Sequence, residues 1–335
     1  MPNKLPRREF IQQATILTLG SLLPTQLLAQ TANPFVSNFN DESTAEEVTE
    51  GIDLSGKIAV VTGGNSGLGF ETARVLAKRG AHVYVSARTQ EKAEKACAQM
   101  EGKTTPIVME LTDFDSIVNC TNTIKQSTDT IDMLICNAGI MQPPELELFN
   151  GVEKQFAVNH LGHFLFATHL IEPVKAAEQG RVVMLSSLAY QWAPETGIDF
   201  DNLDGSQGYD PSQFYGQSKA ANHLFALSLS ERFAGTHATA NSIHPGVINT
   251  NLGRDFSLWM RIAAKLIGWT FMKSIPEGAA TTCYVATEPQ LATVSGHYFE
   301  DCNPITPELA YMTDKALAEK LWQVSAKLCG NYYQA

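Results

Sequence analysis

From Lys57 onward the chain alternates short, uninterrupted apolar runs with longer stretches whose apolar residues recur at helical spacing. Lys57-Ile58-Ala59-Val60-Val61-Thr62 is apolar and β-branched with no polar alternation, the pattern of a strand buried on both faces. Phe70 to Arg79 follows with helix-forming residues and stops at Gly80. Comparable strand-like runs lie near residues 82, 107, 131, 181, 239 and 297, with helical stretches between them. This succession of βαβ units predicts an α/β fold, a doubly wound parallel sheet of about seven strands in one domain over residues 56–335.

Two polar interruptions of that pattern carry candidate chemistry. The first apolar run opens directly into Thr62-Gly63-Gly64-Asn65-Ser66-Gly67-Leu68-Gly69, a glycine loop between a strand and a helix. Gly63 suits a tight turn, Gly67 close approach of backbone to a pyrophosphate, and Gly69 close packing of the helix, whose N-terminus favours anionic oxygens. The glycine spacing differs from G-x-G-x-x-G, and taken alone such a loop also serves as an ordinary turn. The second is Tyr215-Gly216-Gln217-Ser218-Lys219, inside the predicted helix Phe214 to Phe233. Tyr215 and Lys219 stand four apart and so share one helix face. Hydride reduction of a carbonyl needs a proton donor for the developing oxyanion. A tyrosine with a pKa of about 10 is a sluggish donor and acceptor near neutrality unless a cation lowers that value. A hydroxyl such as that of Ser187 is suited to holding the carbonyl oxygen.

Together with four further segments in register, these residues make the chain resemble the short-chain dehydrogenase/reductase family from about Lys57 to Gly330. Thr62 to Gly69 matches the family's T-G-x-x-x-G-x-G, placing Gly63, Asn65, Ser66, Gly67, Leu68 and Gly69 at the cofactor of a Rossmann-type fold. Asn137-Ala138-Gly139 matches its N-A-G after the fourth strand, and Asn159 the helix asparagine of its proton relay. Ser187 falls where the family keeps its catalytic serine, ahead of Tyr215 and Lys219. Pro245-Gly246, with Val247 after it, matches the pair flanking the nicotinamide, and Thr250 a cofactor-contacting threonine. Leu111 marks the adenine side, although Glu110 replaces the aspartate expected there. Ser186-Ser187-Leu188-Ala189, His244-Pro245-Gly246 and Gly296-His297-Tyr298-Phe299 are similar to the retinol-dehydrogenase-like branch, which implies a lipophilic alcohol, aldehyde or ketone as substrate. Tyr190 stands where that branch often has histidine.

The nicotinamide cofactor is expected to be NADP(H). An acid after the second strand would bond the ribose hydroxyls of NAD, whereas Ser86-Ala87-Arg88 offers a guanidinium suited to a 2′-phosphate.

A net charge of −11 with no basic stripe excludes a nucleic-acid partner, and 44% hydrophobic residues over 335 are ample for one large core. Asp41 to Asp53 contains only acids among its charged residues and is read as a solvated linker over residues 33–55. Arg7-Arg8, a moderately apolar stretch from Ala14 to Leu28, and small residues Ala29 and Ala32 resemble a twin-arginine signal over residues 1–32, implying periplasmic export rather than cytoplasmic residence. The six cysteines contain no C-x-x-C, and most read as core residues; a bridge at Cys302 or Cys329 is left open. His160 and His163 lack companions for a metal site, so no metal is expected. Asp255 to Lys273, rich in Phe, Leu, Trp and Met, is read as a substrate-covering lobe, with a transient membrane contact as the other option. Relatives also make a homo-oligomer an expectation. Two competing readings of the whole remain: a light-dependent protochlorophyllide-type reductase, and a cofactor-binding interaction protein without catalysis.

Overall fold

The first apolar run becomes β1 (Ile58–Val61) in the middle of an eight-stranded sheet, in a computed structural model that describes residues 36–248 and 272–334. The remaining strands are β2 (His82–Ala87), β3 (Thr104–Val108), β4 (Met133–Cys136), β5 (Arg181–Leu185), β6 (Thr239–His244), β7 (Tyr298–Glu300) and β8 (Asn303–Ile305). Their order is β8-β7-β6-β5-β4-β1-β2-β3, parallel except where β8 returns antiparallel along β7. All seven expected strands are present. β8 is an addition, three residues with Pro304 at their centre, tolerated because an edge strand need not donate every ladder bond.

The helices are α1 (Gly67–Lys78), α2 (Gln90–Cys97), α3 (Phe114–Ser127), α4 (154–169), α5 (Ile171–Ala176), α6 (Pro211–Arg232), α7 (Ile275–Thr287) and α8 (Lys315–Cys329). α4 is widened to a π turn over Ala157–Leu161. α6 begins where Asp210 accepts from Ser212 N and Gln213 N, with Pro211 in the first turn, where its missing N–H costs nothing. Along β1 the side chains alternate between two cores. Ala59 and Val61 pack with α1 and α7, while Val60 joins the larger core built from α3, α4, α6 and α8. Both faces of the sheet are thereby covered, which is why its strands lack polar alternation.

The chain runs outward from β1 through β2 to β3, then crosses to β4 on the other side of β1. The carboxyl ends of β1 and β4 therefore flank the point where strand order reverses, the position at which such sheets leave a crevice.

Residues 41–53 correct the expectation of a solvated linker. Ala45, Val48 and Leu54 are buried against α1 and α7, and Ala45 N donates to Pro276 O at 2.9 Å. Glu46 pairs with Arg74 at 2.8 Å and Lys78 at 2.7 Å, both on α1. The acids face outward while the few apolar residues between them anchor a strap. The N-terminal segment read as a twin-arginine signal, most of Asp255 to Lys273, and Thr250 lie outside the described residues. Among the described residues no helix is long and apolar enough to cross a membrane.

Candidate active site

The crevice is stitched by one threonine. Thr62, fully buried at the end of β1, accepts at Oγ1 from Asn137 N (2.8 Å) and Ala138 N (2.9 Å), and its carbonyl accepts from Asn137 Nδ2 (2.8 Å). The glycine loop is thus fastened to the Asn137-Ala138-Gly139 segment after β4. Gly63 has φ +64° and Gly67 φ +57°, conformations in which other residues are strained. A Cβ on Gly69 would overlap Asn137 Nδ2 and Gly63 O, so glycine there permits the start of α1 to close onto the loop. Asn65, Ser66 and Leu68 line the same loop, and Ser66 makes no side-chain capping bond to α1. The first N–H groups of α1 thus lack a side-chain cap, as a phosphate-binding terminus requires.

Arg88 ends β2 beside this loop, exposed, and bonds to no side chain among the described residues. Leu111 turns its side chain into the core, and Glu110 accepts from Thr112 N and Oγ1, so this acid closes its own turn. Pro245, Gly246 and Val247 leave the end of β6, and Val247 O accepts from Lys273 N at 2.8 Å.

The candidate catalytic groups converge on the same mouth. Ser187 caps the turn after β5, accepting from Ala189 N at 3.1 Å, and its hydroxyl stands near enough to the Tyr215 phenol from α6 to favour the phenolate. Lys219 Nζ lies 5.5 Å from the Tyr215 ring centroid and donates to Leu185 O at 3.2 Å. A Cβ on Gly139 would stand 3.7 Å from that Nζ, so the N-A-G segment also borders the lysine. Asn159, in the π turn of α4, accepts from Ile140 N (2.8 Å) and donates to Ile140 O (3.0 Å) and Ser218 Oγ (2.9 Å). Its side chain clamps the segment after Gly139, and its carbonyl lies 2.9 Å from His163 Nδ1.

Burial sets the electrostatics. It pushes the Lys219 ammonium down to about 8 and the Tyr215 phenol well above its ordinary value, with the neighbouring Ser187 hydroxyl offsetting only part. The cation was expected to lower the phenol; burial instead raises it.

Two residues near the site went unassigned from sequence. His244 Nδ1 accepts from Leu188 N at 3.3 Å, behind Ser187, and burial together with Lys273 and Lys219 holds it neutral, down to about 3. Trp192, 47% exposed, stands with its ring 6.3 Å from that of Tyr215. Neither contact has a local sequence signal, because each depends on a turn folding back onto another element. Tyr190, by contrast, points inward, edge-on to Tyr298. All six cysteines are free thiols. His160 bonds Ser325 and His163 bonds Thr62.

A sequence model of the short chain dehydrogenase family matches residues 57–199. The chain is 40% identical over 304 residues to Short-chain dehydrogenase TIC 32 B, chloroplastic, of Brassica napus, covering 87% of this chain and 94% of that protein. It is 36% identical over 297 residues to Retinol dehydrogenase 14 of Homo sapiens, covering 83% and 87%. Among solved structures, an uncharacterized protein of Mycobacterium paratuberculosis superposes with a TM-score of 0.68 at 30% identity, over 84% of this chain and 96% of that one.

Proposed function

Because the chain belongs to the short-chain dehydrogenase/reductase family, we propose that it is an NADP(H)-dependent oxidoreductase interconverting a lipophilic alcohol and its aldehyde or ketone. The observation that carries this reading is the convergence of Tyr215, with the Lys219 ammonium buried beside it and Ser187 close by, at the mouth of a glycine cradle. The cradle fits a dinucleotide: positive-φ glycines, an α1 terminus without a side-chain cap, and Arg88 exposed where a 2′-phosphate would reach. Relatives named retinol dehydrogenases support a lipophilic substrate, as does the exposed Trp192 ring beside Tyr215.

A nicotinamide held by the glycine cradle and Pro245-Gly246 would supply or accept the hydride. In the reducing direction Ser187 Oγ–H and Tyr215 Oη–H donate to the carbonyl oxygen, and as charge develops there Tyr215 gives up its proton, completing the alcohol. The resulting phenolate lies beside the Lys219 ammonium, which lowers its energy, and Asn159 fixes the backbone behind both. In the oxidising direction the same phenolate takes the proton back.

The test is a panel of aliphatic, aromatic and terpenoid aldehydes with NADPH, followed at the nicotinamide absorbance. Turnover is expected with wild type, and Tyr215→Phe is expected to lower kcat by about 10²-fold or more while leaving NADPH affinity within about threefold. Arg88→Ala is expected to raise KM for NADPH by about tenfold or more and to spare NADH. A blank panel, or wild type that uses NADH at least tenfold better than NADPH, overturns the substrate or the cofactor assignment respectively.

A further inference from the structure

Thr62 Oγ1 has one proton to give and two lone pairs to receive with. Asn137 N–H and Ala138 N–H, at 2.8 and 2.9 Å, occupy both lone pairs. Its remaining neighbour is His163 Nε2 at 2.8 Å, so this contact is the threonine O–H donated to a bare ring nitrogen. At the other side of the ring His163 Nδ1 lies 2.9 Å from the carbonyl oxygen of Asn159, which can only accept, so Nδ1 carries the proton. The neighbours fix every hydrogen in this chain: a neutral imidazole protonated on Nδ1.

The ends of the chain give it meaning. Thr62 holds the glycine loop to the Asn137-Ala138 segment. Asn159 holds Ile140 and Ser218, and Ser218 Oγ donates to Tyr215 O at 2.7 Å on the helix of the proton donor. His163 is fully buried and links the two sets directly. We propose that His163 is a positioning residue whose neutral ring ties the cofactor cradle to the Asn159 carbonyl, holding the dinucleotide's floor and the Tyr215 helix in one register. The cofactor half of this inference rests on the function proposed above; the hydrogen-bond chain does not.

A second proton on the ring has no acceptor, because Nε2–H would face an oxygen whose lone pairs are filled. The titratable groups facing it disfavour the cation too: Lys219 from α6 and His160 from its own helix, while β1 and the segment after β4 present the uncharged Thr62 and Asn137. Burial moves the ring in the same direction, down to about 4.

The direct test is a long-range proton–nitrogen spectrum of the full chain labelled at histidine, with His163 assigned by its disappearance in His163→Gln. The expected signature is a protonated Nδ1 and a bare Nε2, unchanged from pH 8 to 5.5. A proton on Nε2, or titration near the ordinary value of about 6.5, overturns the proposal. NADPH dissociation constants, read from the dinucleotide's fluorescence, and melting temperatures form the second arm. His163→Phe is expected to weaken binding about tenfold and Thr62→Val by more, since it also orphans Asn137 N and Ala138 N, with the double variant no weaker than Thr62→Val alone because the Thr62–His163 bond is already lost there. His163→Gln, which returns an amide oxygen toward Thr62, is expected to recover most of the loss. Additive losses, or a glutamine no better than phenylalanine, overturn it. A wild type that binds no dinucleotide sinks the functional reading instead, and the spectrum and the additivity of the melting temperatures then decide the network alone.

Discussion

Lys219 is a charged residue 4% exposed whose hydrogen bond among the described residues goes to the Leu185 carbonyl at 3.2 Å, and the fold bears the cost. Its pKa is about 8 in the folded protein against 10.5 for the free group. Below pH 8 both folded and unfolded chains hold the proton and the penalty, about 3 kcal/mol, is present in full. Between about pH 8 and 10.5 the unfolded chain binds more protons, so this residue's contribution makes stability rise with pH. Lys219→Met is therefore expected to stabilise the cofactor-free protein by about 1–3 kcal/mol at pH 7, with a much smaller gain at pH 10, in urea unfolding at the two pH values. The same variant is expected to lose carbonyl reduction. At this scale the sequence is informative where chemistry repeats at short range: the four-residue step from Tyr215 to Lys219, and the glycines following β1. It is silent about His163, His244 and Trp192, because which way a buried ring faces is decided by partners on other elements.

Among the elements, the strap over residues 41–53 shows where pattern reading loses force. Through Leu54, six acids outweigh four apolar residues in any average, yet Ala45, Val48 and Leu54 are buried against α1 and α7 with Ile52 packed beside them. The Glu46 pairs with Arg74 and Lys78 are two-fifths exposed on the carboxylate side, which limits them to about 1 kcal/mol or less. Leu54, 6% exposed, brings burial energy instead. Leu54→Ala is expected to cost about 2–3 kcal/mol and Glu46→Gln under about 1 kcal/mol, compared by denaturant unfolding. The reverse order would make the strap an electrostatic element. Helix and strand positions were legible because each carries many buried residues in phase; β8, with three residues and a proline, carries no phase to read.

For the molecule as a whole, the βαβ alternation predicted the architecture, but neither the strand order nor what covers the outer helices. α8 lies on α4 and α6: Leu321 and Trp322 share a core with Phe164 and Phe225, and Ser325 Oγ meets His160 Nε2 at 2.8 Å. Arg232 stacks on Trp322 at 3.6 Å from the ring centroid. The expectation of a homo-oligomer therefore finds the parts of α4 and α6 beneath α8 already occupied by the chain's own C-terminal helix. Ending the chain before Asp314 is expected to uncover this aromatic surface and drive self-association, visible as earlier elution in size-exclusion chromatography; unchanged elution would make α8 dispensable. The strap has the opposite polarity in time. Ser37 N reaches Asn303 Oδ1 across 266 positions of sequence, and Ala45 hydrogen-bonds the start of α7. Synthesis runs from the strap toward its partners, so the first described piece to leave the ribosome is among the last to find its seat. The clasp therefore closes only after Asn303 has been made, and a chain stopped short of it leaves the strap without these partners.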